Sequence, residues 1–156
     1  MNFFSPVFVS TSHTRNLQNR ILNWVLKMQT APTQFRMNEG AESTIFASCF
    51  ALFIIDLFVK VKEWSQKEKN LWVDFINTFQ DKNSGYFLPG YSPYGNNTKP
   101  VHQITCSCLS ALSVLNARPK YELKFLNQWK TKDDIHNYLK KRLEFLENDR
   151  LGIFSK

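Results

Sequence analysis

Few side chains in this 156-residue chain have the chemistry for proton transfer: three histidines, three cysteines and thirteen carboxylates. His102 is the first candidate. It follows a tyrosine-rich stretch that holds Tyr86, Tyr91 and Tyr94, and it stands near the start of a predicted helix opened by Pro100. An imidazole there can act as a base or donate a hydrogen bond to a substrate. Glu42 takes the comparable place before an earlier apolar helix, when Ala51-Leu52 is aligned with Ala111-Leu112. His102 and Glu42 are therefore the candidate catalytic residues. Tyr86, Tyr91 and Tyr94 are candidate walls for a sugar or an isoprenoid-like ligand. Asp56 joins them as a binding candidate, because it is a carboxylate in the most apolar stretch and a buried acid is costly unless paired. It marks either a cavity or, more commonly, the point where a helix meets solvent. For His102 the plainer reading carries more weight: the ring fills its loop and the tyrosines pack that loop down, since spacing identifies no second partner.

Other chemistries find no support. His102, Cys106 and Cys108 are close in sequence, but the two cysteines diverge by about 200° on a helix, so no metal site is expected. Asp133-Asp134 is the only adjacent acidic pair, and it reads as a helix start, where carboxylates suit the dipole. Phosphate-binding glycine loops, the GxSxG serine motif and HExxH are all missing, and no cofactor is expected.

The elements that must position these residues read as helices. Leu17, Ile21, Trp24, Val25 and Met28 have helical spacing, with Thr14 as a possible cap and Pro32 as the stop. Ile45 to Val61 is apolar nearly all round, the mark of a helix surrounded by protein. Ser65-Gln66-Lys67-Glu68 is a capping box ahead of Leu71, Trp72, Phe75, Ile76 and Phe79. Asp81 to Lys99 reads as a long loop. Ile104, Cys108, Leu109, Leu112 and Leu115 form a fourth stripe that ends at Asn116 to Pro119. Thr131 to Asp134 starts a fifth helix with Ile135, Leu139, Leu143 and Leu146; Tyr121 to Trp129 is a short helix or a loop. No alternating strand pattern stands out, so the expected fold class is all-α, one domain over 1–156 with a tail at about 1–13.

Composition narrows the setting. Hydrophobic residues make up 43% of the chain and charged residues 21%, enough for a packed core. The net charge of +7 is not concentrated in one segment, and its best cluster, Lys140-Lys141-Arg142, adjoins Glu144 and Glu147. A solvated helix face explains that better than nucleic acid does, so no nucleic-acid partner is expected. An odd cysteine count without CxxC fits a reducing, cytoplasmic location. The run from Ile45 to Val61 is broken by Asp56 and Lys60 and is too short for a membrane span.

An internal repeat runs through the chain. Trp72 to Phe87 aligns with Leu139 to Phe154 at an offset of 67, matching Gly85-Tyr86-Phe87 to Gly152-Ile153-Phe154. An offset of 51 matches Trp24 to Phe75, Val25 to Ile76, Gln29 to Gln80 and Phe35 to Tyr86. Between the copies lie two similar apolar helices, around Ala51-Leu52 and Ala111-Leu112. The pattern reads as stacked helical hairpins, outer helix then inner helix.

This pattern resembles the α/α-toroid superfamily, which includes protein prenyltransferase β subunits, squalene and hopene cyclases, helical-barrel glycosidases and polysaccharide lyases. Gln80, followed by an acidic residue and then Gly85-Tyr86-Phe87, looks like the glutamine–aromatic motif of the prenyltransferase and terpene cyclase repeats. The resemblance implies helical hairpin repeats forming part of an α/α toroid. It also implies a central cavity for a small apolar or sugar ligand, lined by inner-helix ends such as those of His102 and Glu42. About five helices are too few for a full ring, so the expectation is either a truncated chain or a homo-oligomer or another partner completing the toroid. The alternative is a noncatalytic helical-repeat module that packs against another protein.

Overall fold

The computed structural model describes residues 12–89 and 99–153. Helix α1 (Ser12–Lys27) leads into three short strands, β1 (Gln29–Ala31), β2 (Gln34–Arg36) and β3 (Ser43–Thr44). The strands form an antiparallel sheet in the order β1-β2-β3. Then come α2 (Ile45–Val59), a 3-10 turn at Val61–Glu63, α3 (Gln66–Asn77) and α4 (Lys99–Val114). A second 3-10 turn at Lys124–Gln128 precedes α5 (Lys132–Ile153).

The sheet overturns the all-α expectation and, with it, an uninterrupted series of helical hairpins forming part of an α/α toroid. The protein has a mixed helix-and-sheet fold. Strands of two or three residues are too short to show alternation, which is why the pattern missed them. Their register is fixed instead by one buried side chain, Phe35, whose ring stacks on Trp72 at 5.8 Å. The third repeat copy also fails: α5 continues as helix through Gly152 to Ile153, where a turn was expected, and Phe154 lies outside the described residues. Helix α1 already includes Ser12 and His13, ahead of the expected cap at Thr14. Residues 1–11 of the expected tail lie outside the described residues.

The first two copies do share a local geometry. Gln29 pairs with Phe35 across one antiparallel bridge, and Gln80 pairs with Phe87 across another. The second turn is one residue longer, so Phe35 corresponds to Phe87 and not to Tyr86.

Helix ends follow their local chemistry. Thr44 Oγ1 accepts the Ala47 amide at 3.1 Å and opens α2. The Ser65 box closes in both directions, with Ser65 N–H donating to Glu68 Oε2 at 2.8 Å and Glu68 N–H to Ser65 Oγ at 3.3 Å. Thr131 and Asp134 repeat the arrangement at α5. At the end of α4, Asn116 adopts a φ of 54°, while Ala117 N–H donates to Leu112 O and Asn116 N–H to Ser113 O. This is a Schellman closure.

The core lies mainly between α2 and α4. Cys49, Leu52, Cys108, Ala111 and Leu112 meet there, fully or almost fully buried. Val25 of α1 and Met28 just after it, and Trp72 and Ile76 of α3, cover the sides.

Candidate functional site

The structure brings two of the candidate residues together. Tyr86 follows Gly85, and His102 lies in the first turn of α4. Their side chains meet with Tyr86 Oη 3.3 Å from His102 Nε2 and the rings edge to face at 5.3 Å. Gly85 makes this approach possible. It has a φ of +81°, and a Cβ there would lie 2.7 Å from Leu123 Cα. Gln80 locks the same turn from beneath. Its Nε2 donates to Gly85 O at 3.2 Å and to Tyr121 O at 2.9 Å, and its Oε1 accepts the Tyr121 amide at 2.8 Å.

Tyr86 is also the first ring of an aromatic ladder. It stacks on Phe125 at 4.1 Å and 11°; Phe125 meets Trp129 at 6.3 Å, and Trp129 meets Tyr138 of α5 at 5.0 Å. Burial pushes the Tyr86 hydroxyl pKa up, and nearby Tyr138 adds to the shift, so the phenol stays neutral at physiological pH. One ring face is covered by Phe125 and the edge by His102. The ladder therefore spends its surface tying the second 3-10 turn to the body.

Two other candidates lie on other elements. Glu42 is exposed in the turn before β3. Asp56 is half-buried near the opposite end of α2, where its Oδ1 accepts the Val61 amide at 3.0 Å. Helix rise sets Asp56 about 16 Å from the start of α2. Asp56 thus closes the turn after its helix. Tyr91 and Tyr94 lie outside the described residues.

Cysteine chemistry is muted. Cys49 and Cys108 are fully buried, and the hydrogen bond that the Cys108 thiol donates to Cys49, with burial, pushes the Cys108 thiol pKa far up. Cys106 is exposed. Among the described residues, no group of three His, Cys, Asp or Glu could hold a metal ion. One shallow groove of about 180 Å³ is lined by Pro32, Thr33, Trp64, Glu68, Leu71 and Trp72. That is smaller than the roughly 300–1,000 Å³ of ordinary ligand sites.

The feature that sequence reasoning missed is uncovered apolar surface. Helix α2 is apolar all round, yet protein does not surround it. Phe46, Phe50, Phe53 and Leu57 fall within a sector of about 60° on its outer side. Phe46 and Phe53 are half-buried, Phe50 is 43% exposed and Leu57 74% exposed. The phenylalanines touch one another, at 4.7 Å for Phe46–Phe50 and 5.9 Å for Phe50–Phe53. Helix α5 has a second uncovered stripe, with Ile135 48%, Leu139 54% and Leu143 62% exposed. The signal available in the sequence was the excess itself: α2 has more apolar faces than two neighbouring helices can cover.

Comparisons with protein-family models, curated proteins and solved structures give no match. No helix among the described residues is long and apolar enough to cross a membrane.

Proposed function

We propose that this chain is a noncatalytic interaction module whose uncovered helix faces bind protein. The observation that carries this is the outer face of α2, where Phe50 and Leu57 stand open to solvent on the most apolar helix. Contiguous apolar surface of this kind is a marker of association sites. Asp56 adds support, because its carboxylate is engaged by the Val61 amide at a helix end. We place the module in the cytoplasm, with the free thiols Cys49, Cys106 and Cys108 supporting a reducing compartment.

Site-specific photo-crosslinking in the native cell tests this reading. A photoreactive residue at Leu57 should give discrete protein adducts that Phe50→Lys abolishes, whereas the same group at the exposed Lys67 should give none. Equal, diffuse labelling at both positions would refute it.

The contact between Tyr86 and His102 favours a second reading, a small apolar or sugar ligand seated beside the aromatic ladder. In that case a sugar or isoprenoid series should shift the His102 ring resonances in the protein and should fail to bind Tyr86→Ala. A series that leaves those resonances unmoved removes this reading.

A further inference from the structure

Two faces of this chain lack cover, and they have complementary needs. The α2 sector, Phe46 to Leu57, is uncharged and aromatic; it is a flat apolar strip on a helix anchored by α4 and α1. The α5 stripe, Ile135 to Leu143, belongs to a 22-residue helix whose described side chains are exposed apart from half-buried Asp134. A helix of that composition gains little stability alone, since most helical stability in proteins comes from burying one face. We propose that the chain forms a reciprocal homodimer in which α5 of each copy lies along the α2 face of the other. This rests on the interaction reading above and names its partner.

Area favours the second copy and this pairing. Each of the five open side chains offers roughly 100 Å², and half-buried Phe46 and Phe53 about half of that, so one α5-on-α2 seam buries about 600 Å² and the two seams of a twofold pair about 1,200 Å². That reaches the lower bound for a specific, stable interface. A seam between two α2 helices would bury only about half as much and leave both α5 stripes in water. The exchange is also closed: each copy gives one helix and receives one, so association stops at two.

The experiment uses the full chain in a Cys106→Ser background, which removes the exposed thiol. Sedimentation from about 1 to 100 µM should show a monomer–dimer equilibrium, and Leu57→Lys or Leu143→Lys should each weaken it at least tenfold. Both positions are exposed, so folding should be unaffected. A Leu57→Cys copy mixed with a Leu143→Cys copy should oxidise to a mixed disulfide, two thiols giving one S–S bond and two electrons to an added disulfide oxidant. Dimers joined instead through Leu57→Cys on both copies would overturn the pairing. A chain that stays monomeric would overturn the dimer, and the double variant Leu57→Cys/Leu143→Cys then separates the two readings. A disulfide within one chain means that α5 covers α2 in cis, and the interaction reading falls as well. No such disulfide, with rapid alkylation at position 57, leaves the interaction reading standing without a second copy as partner.

Discussion

The Phe87 amide donates to Thr105 Oγ1 at 3.0 Å inside the core, and the Phe35 amide donates to Ser48 Oγ at the same distance. In both cases an aromatic that ends a Gln–Phe bridge hangs its backbone on a hydroxyl of the helix that follows. The hydroxyl is buried each time, so the amide has no water to fall back on. Thr105→Val should cost about 1–3 kcal/mol of unfolding free energy, and Thr105→Ser markedly less. Urea denaturation of the three proteins checks this; equal stability of Val and wild type would show that the bond contributes nothing.

Gly85 and Gly40 separate two causes of glycine preference. Both have positive φ, at 81° and 84°. A side chain at Gly40 meets open space, whereas one at Gly85 runs into the backbone of Glu122, Leu123 and Lys124. Gly40→Ala should therefore lose about 1 kcal/mol and Gly85→Ala clearly more, because the 121–128 segment must shift. The Tyr86–His102 contact should break in the second variant, visible as a change in the His102 ring resonances.

The thiols should react in two classes. Cys106 is exposed, while Cys49 and Cys108 are buried with the Cys108 thiolate strongly disfavoured. An alkylating reagent at neutral pH should modify one thiol per chain quickly and the other two only on unfolding. Fast labelling of all three would mean that α2 and α4 separate in the native state.

The capping box should be visible in a titration. The Ser65 hydroxyl and amide hold the Glu68 carboxyl below its ordinary value of 4.5. A depressed folded pKa means that the box stabilises the fold above the unfolded value and loses this as pH falls through the folded one. Ser65→Ala should return the Glu68 pKa toward the ordinary range, read by NMR. An unchanged pKa in that variant would remove the cap as its cause.

Helices were legible wherever an end signal stood beside a periodic stripe. Ser65, Thr131 and Asn116 mark boundaries that the structure reproduces, because caps are local chemistry. The bridges at Gln29 and Gln80 were visible as a repeat of residue types, but not as strands. Two- and three-residue strands have no period to read; their existence depends on where Phe35 and Phe87 are buried. The reading of α2 as enclosed failed for a related reason. An apolar circumference states what a helix needs to bury, not what the rest of the chain supplies. Within the site, the Tyr86–His102 contact arises from the turn at Gly85, and a separation of 16 residues gives no hint of it.

In-cell hydroxyl-radical footprinting of α2 tests the central claim most directly. Phe50 and Leu57 should be modified several-fold less in the cell than in the dilute purified chain, while Leu71 and Leu88, also exposed but outside the strip, should react alike in both. Equal modification of Phe50 and Leu57 in the two settings would mean that nothing binds this face, and the account would be wrong.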